Sequence, residues 1–219
     1  MNLAGYRISK MNTLYNILKI LDLYTKWGSS DYIGESITQI EHALQCARLA
    51  SQDSRLAQYD NFIHNCVIVA ALLHDIGHLV GLDDGEMEMR LGGESCDSLG
   101  IVGHEGVGAA FLKGLGMPNL VCELVEGHVP AKRYLCTTRE GYYDSLSNAS
   151  KQTMQLQGGI MNSEELRIFQ SGVMPELKIY LREYDDVGKK TNMNLSSTTK
   201  MLDYKSHLET ALMHGRIFF

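Results

Sequence analysis

The sequence predicts an all-α protein, a helical bundle formed by a single domain of 219 residues. Long segments carry apolar residues at the 3.6-residue spacing of amphipathic helices, whereas the strict alternation of β-strands is rare. Only three prolines occur in the chain, so few positions are barred from the interior of a helix. Hydrophobic residues make up 44% of the chain, the usual share for a globular protein with one sizeable core.

The helices of the first half are indicated by apolar residues that recur along one face. Leu14, Ile17, Leu18 and Leu21 form such a face in a helix that Gly28 ends. The later run CVIVAALL is apolar on nearly every side. Its length, its pair of alanines and its helical neighbours favour a central buried helix over a buried strand. The predicted helices of this half cover residues 11–27, 35–50 and 61–74.

The second half is predicted to begin with a loop over residues 77–103, which are rich in Gly, Asp and Glu. Loops of that length are usually functional or mobile. Beyond it, Pro118 and Pro175 stand where a helix start tolerates proline, and Ser163 opens an acidic first turn. Residues 188–199 are polar, which predicts a loose segment. The predicted helices cover residues 105–115, 120–127 with a continuation towards 134, 148–156, 163–169, 175–186 and 200–214.

The bulk composition excludes several classes of function. The formal net charge is −6, which argues against a nucleic-acid partner, because phosphate neutralisation needs clustered Lys and Arg. Five cysteines without CxxC spacing indicate reduced thiols. No apolar run approaches the roughly 18 residues that a membrane span needs, and the N-terminus lacks a secretory signal. We therefore expect a cytoplasmic protein without a membrane partner, and the oligomeric state stays open.

Histidines and carboxylates mark the candidate site. His74 and Asp75 are adjacent at the end of the most apolar helix, where a charged carboxylate is costly unless it is paired or bound to a metal. For an isolated His-Asp pair, a helix-end cap would be the simpler interpretation. This pair is not isolated, because other predicted elements carry His42, His104, His128 and the acidic pair Asp185-Asp186.

These residues stand in motifs that resemble the HD-domain superfamily: EHALQ, LLHDIGH, GHEGVG, EGHVPAK and LREYDD. The resemblance implies an HD-domain helical bundle whose core spans about residues 32–190. It also implies a dinuclear metal site in which Asp75 bridges the two ions. One ion would be held by His42, His74, Asp75 and Asp185, and the other by His104 and His128. Asp186 is the alternative to Asp185, which the family pattern favours because Lys189 follows four residues later. Imidazole and carboxylate ligands suit iron, manganese or zinc.

Within that superfamily the chain is similar to the mixed-valence diiron oxygenases, in particular the PhnZ-like organophosphonate dioxygenases. The resemblance implies that Tyr32 is held near the open iron position, hydrogen-bonded to Glu35, until substrate displaces it. The segment LSNASKQTMQLQGG carries two hydroxyls in the family's order and spacing. The positions that match the family's phosphonate-binding residues are His78, Lys132, Ser150, Thr153 and Arg182.

The spacing of these residues is compatible with helices. Residues three or four apart share a helix face, so a phosphonate-binding residue would lie one turn from a metal ligand. Such pairs are His74 with His78, His128 with Lys132, and Arg182 with Asp185. A single lysine or arginine of this kind would more often be a solvated charge, and only the joint occurrence favours a site. His64, His207 and His214 match no family position, so we assign them no role.

The resemblance implies that the protein uses O2 and two iron ions, a mixed-valence Fe2+/Fe3+ pair, to cleave the C–P bond of a small phosphonate. A substrate of the 1-hydroxy-2-aminoethylphosphonate type would yield phosphate and glycine, and an N-methylated one would yield a product such as betaine. Both options at C2 stay open. Two other interpretations remain: an HD-type phosphohydrolase acting on a nucleotide or phosphate monoester, and a regulatory protein that binds a phosphorylated ligand without turnover.

Overall fold

The protein is all-α, as the sequence predicts, with one small β-hairpin. The computed structural model describes residues 3–32, 34–85, 88–90, 98–191 and 198–215, and the side chains of 10–32, 34–85, 100–191 and 200–215. The helices are α1 (Leu3–Trp27), α2 (Gln39–Gln52), α3 (Asn61–Leu73), α4 (Ile76–Asp84), α5 (His104–Gly114), α6 (Asn119–Thr138), α7 (Tyr142–Ser145), α8 (Asn148–Leu156), α9 (Ser163–Ser171), α10 (Pro175–Val187), α11 (Thr198–Met201) and α12 (Lys205–His214). Short 3-10 turns cover Ser54–Gln58 and Leu202–Tyr204, and the hairpin pairs β1 (Glu88–Arg90) with β2 (Ser98–Ile101) antiparallel.

The run CVIVAALL lies in α3, which is the central helix of the bundle. Every residue from Asn65 to Leu73 is buried, and α3 packs against α2, α6, α10 and α12. An element surrounded on several sides needs apolar residues all around it, which is why this segment shows almost no amphipathic pattern. None of the helices among the described residues has, by itself, the length and apolar composition of a membrane span. Helices α3 and α4 reach that length and composition only when they are taken together, and the pair is bent by 44°.

The loop predicted for residues 77–103 is wrong over its first part, because α4 occupies Ile76–Asp84. Gly77 and Gly81 suggested a loop, but they serve close packing. A Cβ on Gly77 would stand 1.9 Å from the His104 carbonyl oxygen, and one on Gly81 would stand 2.6 Å from the Ile101 side chain. Residues 86–87 and 91–97 of this predicted loop lie outside the described residues, as do residues 192–197 of the predicted loose segment.

The start of α2 also differs from the prediction, which placed residues 35–38 in the helix. Thr38 is instead the N-cap: its hydroxyl accepts from the Glu41 backbone, and the Glu41 carboxylate accepts from the Thr38 backbone. This capping box fixes the first turn at Gln39. The preceding residues form a turn closed by a β-bridge between Asp31 and Thr38. We call residues 31–38 the entry loop.

Candidate metal centre and adjoining cavity

The six predicted metal ligands lie together inside the bundle, although separate elements supply them. Helices α2, α3, α5, α6 and α10 pack against one another, so side chains at their facing positions converge. All six residues are buried, and the most accessible, Asp75, is 7% exposed. The ligand positions are His42 on α2, His74 and Asp75 between α3 and α4, His104 at the start of α5, His128 on α6 and Asp185 on α10.

His42 and His74 form the first imidazole pair, with their Nε2 atoms 3.1 Å apart. His42 Nδ1 lies 2.9 Å from the Gly188 carbonyl oxygen, and His74 Nδ1 lies 3.0 Å from the Ala71 carbonyl oxygen. Because a carbonyl only accepts hydrogen bonds, both Nδ1 atoms carry a proton, and each ring in its neutral form presents a lone pair at Nε2. Two facing lone pairs repel each other unless a cation or a proton lies between them.

His104 and His128 form a second pair of the same kind, with their Nε2 atoms also 3.1 Å apart. His128 Nδ1 donates to the Val125 carbonyl at 2.7 Å, which directs its lone pair at Nε2 towards His104. His104 Nδ1 lies 3.4 Å from Glu105 Oε2, without hydrogen-bond geometry. Carbonyl or carboxylate partners at the outer nitrogen are the usual way in which proteins orient metal-binding imidazoles.

The Asp75 carboxylate lies between the two pairs. Its Oδ2 atom is 3.5 Å from His42 Nε2 and 3.2 Å from His74 Nε2. Its Oδ1 atom is 3.4 Å from His104 Nε2 and 3.5 Å from His128 Nε2. One carboxylate oxygen therefore faces each imidazole pair, which is the arrangement of a bridging ligand.

The charges of the cluster favour the metal-binding forms of Asp75 and His128, whereas His74 holds a proton near neutral pH that a bound metal ion would replace. Burial raises the pKa of Asp75, but the imidazoles of His74 and His104 outweigh that effect and hold it well below its usual range. Burial lowers the pKa of His128 to about 3, with a further contribution from His104. Burial also lowers the pKa of His74, but the charges of Asp75 and Asp185 overcome it and raise the value to about 9. An ionised carboxylate and a neutral imidazole are the species that bind metals.

The donor set therefore fits two metal ions. The first pair of imidazoles has carboxylates from Asp75 and from Asp185, whose Oδ1 atom is 3.4 Å from His42 Nε2. The second pair has Asp75 alone among the predicted ligands, which leaves more of its coordination sphere to substrate or water. Mixed nitrogen and oxygen donors suit iron, manganese or zinc better than calcium or magnesium.

A cavity of about 50 Å³ adjoins the second imidazole pair. His104, His128 and Asp75 line it, whereas His42 and His74 do not. A cavity of this volume suits a small ligand. It is well below the volume of roughly 300–1,000 Å³ that is typical of pockets for drug-sized ligands. The same cavity is lined by all seven side chains predicted to bind substrate or to act as a lid: Tyr32, Glu35, His78, Lys132, Ser150, Thr153 and Arg182.

Lys132 is a buried cation at this cavity. Only 2% of the residue is exposed, and its Nζ atom donates to Thr153 Oγ1 at 3.0 Å. Burial lowers its pKa to about 7, and the nearby Arg182 guanidinium adds to the effect. A lysine half-protonated near neutral pH, with no carboxylate hydrogen-bonded to it in the part of the chain that is described, is poised to bind an anion.

Three of the five N–H groups of Arg182 donate hydrogen bonds to neighbouring oxygen atoms. Its Nη1 atom donates to Asp185 Oδ2 at 2.7 Å, its Nη2 atom donates to Asp186, and its Nε atom donates to the Tyr142 hydroxyl at 3.1 Å. Tyr142 in turn donates to Asp186. Asp185 thus stands beside the imidazoles, while Asp186 stands behind Arg182. The guanidinium both lines the cavity and orients the carboxylate of Asp185, a predicted metal ligand.

His78 presents a hydrogen-bond donor to the cavity. Its ring stacks on His104 with centroids 3.9 Å apart. Its Nδ1 atom accepts from the Ile101 backbone N–H at 3.0 Å, so the proton of the neutral ring resides on Nε2. Burial, reinforced by the electrostatic effect of the neighbouring His104, lowers the pKa of His78 well below its usual range, which keeps the ring in that neutral form.

The predicted hydrogen bond between the Tyr32 and Glu35 side chains is absent from the structure, which gives each a different partner. The Tyr32 hydroxyl donates to Asp185 Oδ1 at 3.3 Å, and its ring stacks on His42 at 3.9 Å. Glu35 Oε1 lies 3.4 Å from Lys189 Nζ. A carboxylate gains more from an ammonium group than from a neutral phenol, which accounts for the change.

The structure adds residues that sequence reasoning did not assign to the cavity, chiefly Lys189 and Gln157. In the sequence, Lys189 served only to favour Asp185 over Asp186, although its spacing of four residues from Asp185 also indicated a position near the site. Gln157 begins the QGG turn noted in the sequence, and its Oε1 atom is buried without a hydrogen-bond partner in the described structure. Nothing in the sequence distinguished Tyr142 from the other tyrosines.

The three histidines without an assigned role lie elsewhere. His207 Nδ1 is 2.7 Å from Asn65 Oδ1, and the His214 ring contacts Phe62. Neither they nor His64 line the cavity.

Comparisons with known proteins identify several similar chains. The HD domain family model matches residues 40–169, which include five of the six predicted ligands and end before Asp185. The chain is 36% identical over 188 residues to the 1-hydroxy-2-(trimethylamino)ethylphosphonate dioxygenase (glycine-betaine-forming) of Leisingera caerulea, covering 85% of this chain and 86% of that protein. It is 33% identical over 199 residues to the hydroxymethylphosphonate dioxygenase of Gimesia maris, covering 91% and 89%. An uncharacterised protein of Acanthamoeba polyphaga mimivirus is 36% identical over 207 residues, covering 94% and 86%.

Proposed function

We propose, from the premise that this chain belongs to the HD-domain phosphonate dioxygenases, that it oxidatively cleaves a 1-hydroxyalkylphosphonate. The protein would consume one O2 molecule, break the C–P bond and release phosphate and a carboxylate. Carbon C1 of the substrate, an alcohol carbon, becomes the carboxyl carbon, a four-electron change that matches the four electrons one O2 molecule accepts. The reaction therefore needs no external reductant in each turnover.

One observation carries the proposal: the second imidazole pair faces a cavity that also holds cationic and hydroxyl groups. A phosphonate bound by Lys132 and Ser150 would bring its C1 hydroxyl towards His104 and His128, because all four residues line one space of about 50 Å³. That space favours a small phosphonate over a nucleotide. Holding the reacting carbon next to the metal centre would contribute to the rate by fixing the reacting groups in position.

The metal centre would consist of two iron ions, a mixed-valence Fe2+/Fe3+ pair, which supply the redox chemistry with O2. His42, His74 and Asp185 would hold one ion, His104 and His128 the other, and Asp75 both. Imidazole and carboxylate donors without thiolate in this set suit iron.

The remaining side chains bind and order the substrate. Lys132 would pair with one phosphonate oxygen, and the Nε2–H of His78 would donate to another. As the C–P bond breaks, negative charge accumulates on the departing phosphate, and the same cations stabilise it. Tyr32 lines the cavity, and its hydroxyl donates to Asp185, which would be a metal ligand. The substrate would displace Tyr32 from this position.

The substrate that we propose is a small 1-hydroxyalkylphosphonate of the 1-hydroxy-2-aminoethylphosphonate type. With a free amino group at C2 the carboxylate product is glycine, and with an N-methylated group it is a betaine-type product. The relatives named above act on a trimethylamino compound and on hydroxymethylphosphonate, so both larger and smaller substituents at C1 belong in the test.

The deciding experiment measures phosphate release by iron-reconstituted protein with and without O2. The substrates are hydroxymethylphosphonate, 1-hydroxy-2-aminoethylphosphonate, its trimethylamino analogue and a phosphate monoester. We expect at least one phosphonate to release phosphate in air and none to do so anaerobically. Oxygen-independent release from the monoester, with no phosphonate turnover, would instead identify a phosphohydrolase that uses the same metals to activate water.

A further inference from the structure

Two lysines approach the two hydroxyl groups of α8 in the same manner. Lys132 Nζ donates to Thr153 Oγ1 at 3.0 Å, and Lys189 Nζ donates to Ser150 Oγ at 3.2 Å. Ser150 and Thr153 are one helical turn apart, and all four side chains line the cavity. Lys189 therefore occupies a position in the site equivalent to that of Lys132, although it comes from the segment after α10 and not from α6.

Lys189 differs from Lys132 in having a carboxylate next to it. Its Nζ atom is 3.4 Å from Glu35 Oε1, and the two side chains are 13% and 17% exposed. Glu35 Oε1 is buried and makes no hydrogen bond to the described residues. The pair thus gains Coulomb attraction without hydrogen-bond geometry. A carboxylate whose buried oxygen lacks a hydrogen bond is a weakly held partner, which a better acceptor can replace.

We infer that Lys189 is a further phosphonate-binding residue, and that the incoming phosphonate replaces the Glu35 carboxylate at its ammonium group. The inference rests on the proposed function. It follows from the charges of the site: a phosphonate dianion needs two positive charges, and the Arg182 guanidinium is already paired with two carboxylates, Asp185 and Asp186. Lys132 and Lys189 are the two described ammonium groups on the cavity wall, and each is joined to a hydroxyl.

The exchange would connect substrate binding to the entry loop, because Glu35 and Tyr32 both belong to it. The Lys189 ammonium lies 5.7 Å from the centroid of the Tyr32 ring and so holds both loop residues against the end of α10. Gly34 fits closely on α8, since a Cβ at this position would be 2.7 Å from the Ala149 Cβ. When the phosphonate replaces Glu35 at the Lys189 ammonium group, the entry loop loses its ionic contact with the segment after α10. Tyr32 then becomes easier to displace.

Isothermal titration of the iron-loaded full chain, under anaerobic conditions, tests the inference with methylphosphonate as the probe. Methylphosphonate lacks the C1 hydroxyl, so its affinity reports the phosphonate-binding groups. We expect Lys189→Met and Lys189→Gln to raise Kd by about 10- to 100-fold, the effect of losing one charge-assisted hydrogen bond. Lys190→Met, which removes the adjacent exposed lysine, is the matched control and should leave Kd unchanged. Iron content and thermal unfolding verify that each variant is folded.

Glu35→Gln tests the exchange itself. If Glu35 competes for Lys189, its neutralisation should tighten methylphosphonate binding about two- to fivefold, the range of a partly exposed ion pair. The gain should vanish in the Lys189→Met background. A Kd for Lys189→Met and Lys189→Gln within twofold of the Lys190→Met value would overturn the binding role, and a Glu35→Gln gain that persists without Lys189 would overturn the exchange. Lys132→Met distinguishes the failure of this inference from the failure of the proposed function. If Lys132→Met weakens methylphosphonate binding and the Lys189 variants do not, only the role of Lys189 is wrong. If neither Lys132→Met nor the Lys189 variants weaken binding, the proposed phosphonate site is wrong.

Discussion

Lys132→Met is expected to make the protein more stable at neutral pH while impairing phosphonate binding. Lys132 is 2% exposed, and its hydrogen bond in the described structure is to a neutral hydroxyl, that of Thr153. The folded protein therefore holds a cation with little compensation for its lost hydration. Methionine has a similar length and no charge, so it fills the same space without that penalty.

The size of the effect follows from the pKa of Lys132, which burial lowers from 10.5 to about 7. Between these pH values the unfolded chain binds a proton at this position that the folded chain has largely lost, so the free energy of unfolding rises with pH. Integration gives a destabilisation by Lys132 of about 4 kcal/mol at pH 7 and about 2 kcal/mol at pH 9. The lost hydrogen bond to Thr153 subtracts about 1 kcal/mol from the benefit of methionine at both pH values.

Urea unfolding of the metal-free proteins, followed by circular dichroism at pH 7, 8 and 9, measures this difference. We expect Lys132→Met to exceed the parent protein by about 3 kcal/mol at pH 7 and by about 1 kcal/mol at pH 9, with equal m values. Lys190→Met, at an exposed position, should show no such pH-dependent gap. A methionine variant less stable than the parent at pH 7, or a gap that stays constant with pH, would refute the reasoning.

The remaining predictions concern metal and ligand binding. Metal analysis should find about one iron per chain in His104→Ala and less in Asp75→Asn, because Asp75 faces both imidazole pairs; equal iron in both variants would contradict a bridging carboxylate. Arg182→Gln should lower both iron content and phosphonate affinity, since its guanidinium also holds a ligand carboxylate, whereas Lys132→Gln should weaken phosphonate binding alone, by about 2–5 kcal/mol. Tyr32→Phe should keep its iron but lose the mixed-valence paramagnetic signal faster in air without substrate; identical decay would dismiss the lid role. Above pH 7, phosphonate binding should be accompanied by proton uptake at Lys132. Isothermal titrations at pH 8 in two buffers of different ionisation enthalpy measure this uptake, and equal binding enthalpies in both buffers would contradict it.

The sequence predicted the helices well where one face is buried and poorly where packing is tight. The apolar face of residues 11–27 and the continuous apolar run CVIVAALL both predicted helices, which the structure contains as α1 and α3. Helix α4 escaped prediction because Gly77 and Gly81 resemble loop residues when only local propensity is considered. Their actual role, to let a helix approach α5 and β2 closely, depends on residues far along the chain. The true start of α2 was encoded by Thr38 and Glu41, whose capping-box spacing is a local signal.

The candidate site followed from the sequence to the level of residue identity but not of contacts. The resemblance named most of the polar residues that line the cavity, though not Lys189 or Gln157, because a motif records which side chains occur together. It did not reveal that Glu35 pairs with Lys189 and not with Tyr32, since that choice depends on the position of the chain after α10. It favoured Asp185 over Asp186 through the spacing to Lys189, but it did not reveal their contacts: Asp185 lies 3.4 Å from His42 Nε2, whereas Asp186 accepts from Arg182 and Tyr142. Such distinctions require three-dimensional structure.

The central claim, that the two imidazole pairs and the cavity serve an oxygen-dependent C–P cleavage, is tested most directly by the ratio of O2 consumed to phosphate released. An oxygen electrode and a phosphate assay can follow one reaction of iron-loaded protein with hydroxymethylphosphonate or 1-hydroxy-2-aminoethylphosphonate. We expect about one O2 consumed for each phosphate, the ratio that a four-electron oxidation requires, and no phosphate from His104→Ala, which lacks an imidazole of the pair that faces the cavity. Phosphate release without O2 consumption, or undiminished release from His104→Ala, would contradict the account.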